Sequence, residues 1–194
     1  MNAIFRALRY SKRVKNVYTK RFAKYGRSPS GVYWSNVERQ QSRFKIILDQ
    51  ILYVKPRGRI SIADVGCGYG ALLEFIWENS AYNRMLYTGY DINPALIAAC
   101  RSHPKFPADA FNIGDCPNVR TDFSLMSGTY NMAVTDDAAD WEKYFLDCLA
   151  KCWKYSSEGM VFNLLCGEEA HISDGRLYYC NVEKIRRYCR YECW

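Results

Sequence analysis

The chain reads as an α/β protein with a doubly wound, mostly parallel sheet. Three observations predict this. Short apolar strand-like runs alternate with helical segments from residue 58 onward. One of those runs leads through a glycine turn directly into an apolar-periodic helix. Acidic residues recur where strands should end, at Asp64, Asp91 and Asp115.

Residues 3–25 have helical spacing, with Ile4, Leu8, Tyr18, Phe22 and Tyr25 on one side and Arg9, Arg13, Lys20 and Lys24 on the other. Residues 1–27 hold nine Lys or Arg and no acid, so the formal net charge of +7 arises there. Such a basic amphipathic helix suits an anionic membrane surface, nucleic acid or an acidic substrate. It equally suits a soluble helix that packs its apolar stripe and shows lysines to water. Arg27-Ser28-Pro29-Ser30-Gly31 breaks it. A second helix is expected over 35–54, capped by Ser35 with Glu38 three residues on. Strands are expected near 60–65, 85–90, 107–111, 121–126 and 158–165, and helices near 70–79, 94–101, 140–155 and 181–190. Residues 1–57 thus read as a basic helical extension and cap, and 58–194 as the core of a single structural domain.

The run Asp64-Val65-Gly66-Cys67-Gly68-Tyr69-Gly70 follows the first strand. Glycines there let a ligand approach the main chain without a Cβ in the way. A carboxylate at Asp64 repels a pyrophosphate and attracts an ammonium or sulfonium. Gly66-x-Gly68-x-x-Ala71 also satisfies a dinucleotide fingerprint, with an acid further on at Asp91. Asp64 would crowd the phosphates of such a ligand, and Asp115 is an additional acid. The turn therefore suits a cationic nucleoside better, with S-adenosylmethionine the obvious one.

At these residues the chain resembles the class I S-adenosylmethionine-dependent methyltransferases, with their Rossmann-like fold. Asp64 to Gly70 is similar to the family's first motif, Tyr87 to Pro94 to its second, and Phe111 to Asp115 to its third. Ser127 to Asn131, Val161 to Leu165, Leu177 to Tyr179 and Gly31 to Ser35, with Gln41 and Arg43-Phe44, resemble a small bacterial group of uncharacterised methyltransferases. The resemblance spans roughly residues 30–190. It implies that S-adenosylmethionine is held by Asp64, Gly66, Cys67, Gly68, Gly70, Asp91, Ile92, Asp115, Cys116 and Ser127. Asp91 would accept both ribose hydroxyls, Ile92 would flank the adenine, and Asp115 would accept from its amino group. The Cys116 amide would donate to a ring nitrogen, and Arg43 would meet the cofactor carboxylate.

The acceptor side is expected at Tyr130 and Asn131, with Asn163 nearby and His171 as candidate base. The Asp/Asn-Pro-Pro-aromatic run common in enzymes that methylate base amino groups is absent at Ser127 to Asn131. The expected activity is methyl transfer to O or N of a small or medium-sized acceptor. The alternatives are an RNA methyltransferase using residues 1–27, or a cofactor-binding module without transfer. The fold normally carries two more strands after its last helix. Here they are expected to be missing, leaving a sheet edge for a homodimer contact or for the N-terminal segment.

Apolar residues make up 49% of the 194, enough for one sizeable core. No run suits a membrane span or a signal peptide, so the expected location is cytoplasmic. The nine cysteines form no CxxC pair. Cys148 with Cys152 and Cys189 with Cys193 lie four apart, but the chain has only two histidines. No metal site is expected, and the thiols read as reduced and partly buried.

Overall fold

Alternation of buried strands with amphipathic helices produces the expected layers. The computed structural model describes residues 3–173 and 176–192. Along the chain run α1 (Ala3–Tyr25), α2 (Val37–Val54), β1 (Ile60–Val65), α3 (Ala71–Glu78), β2 (Met85–Asp91), α4 (Pro94–Arg101), β3 (Phe111–Ile113), β4 (Thr121–Met126), α5 (Ala138–Trp153) and β5 (Ser156–Phe162). Three short strands follow, β6 (Leu165–Gly167), β7 (His171–Ile172) and β8 (Tyr178–Asn181), then α6 (Val182–Glu192).

The main sheet has the order β3-β2-β1-β4-β5, and every neighbouring pair is parallel. The order reverses between β1 and β4, which opens a crevice at their carboxyl ends. In register, Asp64 of β1 faces Gly89 of β2 and Leu125 of β4. The strand expected near 107–111 starts at Phe111, because Ala108–Ala110 forms a 3-10 turn after Pro107. The helix over 37–54 is capped by Asn36, whose side chain accepts from the Arg39 amide, and not by Ser35.

One face of the sheet carries α2 and α3. Phe44, Leu48 and Ile51 meet Leu72 and Ile76 over Ile60, Ile62 and Phe123. The other face carries α5, where Trp141, Phe145, Cys148 and Leu149 pack on Val65 and Met126. Among the described residues the main sheet has five strands. The segment after β5 builds a separate sheet of order β6-β8-β7, a feature not read from the sequence. Asn131 holds it in place: its Oδ1 accepts from the Leu165 amide and its carbonyl from that of Tyr178.

The stripe of α1 that faces inward matches the expected one only in part: Tyr18 lines the crevice and Phe22 is half-buried. Ile4 and Leu8 are exposed, whereas Tyr10 is buried against Trp141 and Tyr144, followed along the same side by Val14 and Val17. The cause lies on α5. Arg6 pairs with Asp140 at 2.9 Å and Asp147 at 2.7 Å, and the Tyr10 hydroxyl donates to Asp140 at 2.7 Å. α1 therefore lies over α5 and reaches α4, where Asn93 Nδ2 donates to Thr19 Oγ1. Removing the guanidinium strands two carboxylates at a half-buried contact. Arg6→Ala is expected to lower the unfolding free energy by about 2 kcal/mol, read from denaturant midpoints at neutral pH. An unchanged midpoint would show that α1 docks without this pair.

Candidate functional site

The crevice at the carboxyl ends of β1, β2 and β4 is a partly enclosed cavity of about 950 Å³, open solvent at its mouth included. Its floor begins at the turn after β1. The amides of Gly66 and Cys67 both donate to the Tyr90 carbonyl, at 2.7 and 3.0 Å, which locks the turn to β2. The Gly68 amide donates to Asp91 Oδ2 at 3.0 Å, and the Asn93 amide to Asp91 Oδ1 at 2.8 Å. Each Asp91 oxygen thus keeps further acceptor capacity. Asn93 in turn caps α4 through the Ala95 amide.

Asp64 is buried at the end of β1, and its Oδ2 accepts from the Tyr87 hydroxyl at 2.8 Å. Burial pushes its carboxyl up to about 7; the Tyr87 hydrogen bond pulls down and the nearby Asp91 charge pushes up. Burial likewise raises Asp91 to about 6, against the pull of the Asn93 and Gly68 amides. Both values stand above the ordinary carboxylate range near 4. The folded protein therefore holds protons that the unfolded chain has released, and stability falls as pH rises through the window from about 4 to about 7. Asp64→Asn is expected to flatten that fall, measured as melting temperature against pH. An identical slope in the variant would refute the assignment.

Asp115 lines the cavity beyond β3, but one of its oxygens is held by Lys151 Nζ at 2.7 Å. Ile92 and Ser127 complete that side. The Ser127 hydroxyl is buried and has no hydrogen-bond partner among the described residues. The upper wall comes from the N-terminal helices. Val14 and Tyr18 of α1 stand near Asp91, and Gln40 and Phe44 of α2 near the glycine turn. Tyr69 donates to Gln40 Oε1 at 3.1 Å. Trp34 covers Gly128, where a Cβ would come within 2.9 Å of its ring. Tyr130, Trp141 and Tyr144 close the far end.

The structure thus brings together Asp64, Gly66, Cys67, Gly68, Asp91, Ile92, Asp115, Ser127 and Tyr130. Others stand elsewhere. Gly70 sits behind the turn, at the start of α3 against Phe106. Arg43 is exposed and outside the wall, because the helix turns Gln40 and Phe44 inward instead. Asn131 holds the small sheet, and Asn163 Oδ1 accepts from the Gly128 amide. Cys116 is outside the wall, as is His171, exposed on β7 and stacked on Tyr179. The expected base is therefore not at the cavity.

The missed contributors are Tyr87, Gln40, Tyr18 and the Trp141–Tyr144 pair. Gly89 opposite Asp64 is the one sequence signal for Tyr87, since a Cβ there would stand 2.8 Å from the Tyr87 hydroxyl. Cys67, Cys100, Cys116, Cys148, Cys152, Cys166 and Cys180 carry free thiols, and Cys193 lies outside the described residues. Among the described residues no helix is long and apolar enough to cross a membrane.

No protein-family model matches the chain. It is 31% identical over 133 residues to the protein named Putative methyltransferase Rv1506c of Mycobacterium tuberculosis, a match covering 67% of this chain and 78% of that relative. An S-adenosylmethionine-dependent methyltransferase of Leishmania major shares the fold at a TM-score of 0.58 and 15% identity, over 89% of this chain and 71% of that one. Magnesium protoporphyrin IX methyltransferase of Synechocystis, solved with its S-adenosylmethionine, gives 0.53 at 11% identity, over 77% and 65%. The plantazolicin methyltransferase, solved with a pentazolic desmethylPZN analogue and S-adenosylhomocysteine, gives 0.53 at 18%, over 84% and 59%. The chain thus spans less than two thirds of these last two enzymes.

The structural likenesses establish the fold, and the mycobacterial relative establishes kinship in sequence. A five-stranded parallel sheet, its reversal at β1 and β4, and the acids at its strand ends agree with both. The chain belongs to the class I S-adenosylmethionine-dependent methyltransferase family.

Proposed function

We propose that this protein transfers a methyl group from S-adenosylmethionine to an oxygen or nitrogen of a small or medium-sized acceptor. The observation that carries this reading is the convergence of Asp64, Asp91 and Asp115 with the glycine turn on one cavity. The residues fit that cofactor. The wall offers three carboxylates, of which Asp115 is paired with Lys151, and no Lys, Arg or His lines it among the described residues, which suits a cation and disfavours a pyrophosphate. The buried, unpartnered Ser127 hydroxyl is a polar atom that a ligand would satisfy. When bound, S-adenosylmethionine would supply its sulfonium methyl group for in-line displacement, with neutral S-adenosylhomocysteine as the leaving group and no acid needed.

The chain's own residues hold and shield. Asp91 accepts the ribose hydroxyls, Ile92 flanks the adenine, and the Asp115 carboxylate accepts from the adenine amino group. The Cys116 amide and Arg43 lie outside the wall and take no part in this reading. Asp64 draws the positive charge toward the turn. Tyr18, Trp34, Phe44, Tyr130, Trp141 and Tyr144 give the rest of the cavity an aromatic lining that excludes water. Burial raises the Tyr130 hydroxyl well above its ordinary range, so it stays protonated. With no histidine at the cavity, acceleration comes mainly from holding the acceptor in line. A wall without cations favours an acceptor that is not itself anionic near the reacting atom.

Calorimetry with S-adenosylhomocysteine, followed by incubation with methyl-labelled S-adenosylmethionine and fractions of small-molecule extracts, tests this. Binding and label transfer are expected. Uptake of a pyridine dinucleotide with no binding of either adenosyl compound would end the proposal.

A further inference from the structure

The outer face of α1 is not used by the cavity. At its start Ile4, Phe5 and Leu8 are 67%, 68% and 65% exposed, three large apolar side chains on neighbouring positions of one helix. Lys12 follows one turn on from Leu8 on the same side, exposed, and Arg9, also exposed, flanks it. The helix is fixed from its inner side by Arg6 on Asp140 and Asp147 and by Tyr10 on Asp140. The apolar tip therefore projects from a docked element. α6 approaches the same part of α5, with the Tyr188 hydroxyl donating to the Leu146 carbonyl, next to Asp147 in sequence. It adds Arg187, Arg190 and Tyr191, all exposed.

We propose that this face of α1 docks the protein on an anionic lipid surface, with Ile4, Phe5 and Leu8 entering the headgroup boundary and the flanking lysines and arginines meeting lipid phosphates. The inference is independent of the methyl-transfer reading. Residues 1–27 contain nine Lys or Arg and no acid; Arg6 and Arg27 pair with acids elsewhere in the fold, and the others leave this part of the molecule positive, which selects a negatively charged partner. A second copy meeting this face symmetrically would set like charges against each other. A nucleic acid backbone uses the cations but leaves three large apolar side chains in water. A lipid interface takes both at once. No described helix is long and apolar enough to cross a bilayer, so the contact is peripheral.

The test is cosedimentation of the full chain with vesicles of phosphatidylcholine alone or mixed with phosphatidylglycerol, at low and raised salt. Binding is expected only to the mixed vesicles and should weaken with salt. The double variant Phe5→Ser, Leu8→Ser should bind at least about tenfold more weakly. Lys12→Glu should lose at least about fivefold. All these positions are exposed, so melting temperature and S-adenosylhomocysteine binding should match the native protein; a variant that departs in either is replaced by Phe5→Ala. Four results would overturn the proposal: no binding to mixed vesicles, equal binding to neutral ones, full binding by the variants, or tighter binding of a single-stranded oligonucleotide at the same salt. A dimer that the double variant dissolves would do so as well.

Discussion

Asp91→Ala is expected to weaken S-adenosylhomocysteine binding by at least about 100-fold. Two hydrogen bonds from ribose hydroxyls to an ionised carboxylate contribute about 1.5–3 kcal/mol each. The stability of the unliganded protein should change far less. The substitution leaves the Gly68 and Asn93 amides without their acceptor, at roughly 1–3 kcal/mol each. It also removes a buried charge whose carboxyl stands at about 6, two units above the ordinary value. Each unit corresponds to about 1.4 kcal/mol, so the relief at pH 8 offsets much of the lost hydrogen bonding. Titration calorimetry and thermal melts at pH 8 separate the two effects. Affinity within about threefold of native, with a melting point that collapses, would make Asp91 a structural cap and remove it from the ligand site.

The acids were legible because strand ends can be found by pattern, and the fold places strand ends together. Asp64, Asp91 and Asp115 needed no knowledge of side-chain direction. The placements that differed all depend on which way a helix or loop is turned. α2 was recognised as a helix, yet one residue of rotation separates Gln40 from Gln41 and Phe44 from Arg43. α1 carries apolar residues on more than one side. Its inward side is chosen by Asp140, Trp141, Tyr144 and Asp147, 130 or more residues away in sequence, and no local period records that choice. His171 belongs to, and Asn131 braces, a small sheet whose strands are two to four residues long, too short for alternation to show. The Tyr87–Asp64 contact was hidden for a different reason. It exists because Gly89 leaves room between neighbouring strands, and pairing register cannot be read from one strand alone.

Gly66→Ala should destabilise the protein by about 3 kcal/mol, a fall of roughly 6–12 °C in melting temperature for a chain of this size. Gly66 has φ +82, where an L side chain is strained by about 1–2 kcal/mol. Its Cβ would also stand 2.5 Å from Thr129 Cγ2 and 2.7 Å from Thr129 Oγ1. That hydroxyl donates to the Val65 carbonyl at 2.8 Å, fastening the loop after β4 to the end of β1. Moving Thr129 aside loses a hydrogen bond of about 1 kcal/mol. Strain and collision can be told apart in a double-mutant cycle. In a Thr129→Ala background the collision and the hydrogen bond are already gone, so Gly66→Ala should cost only the backbone part, about 1–2 kcal/mol. An equal loss in both backgrounds would show that Thr129 yields freely. The glycine would then be required by its backbone angle alone, and the loop after β4 would be anchored by the Asn163 contact to the Gly128 amide.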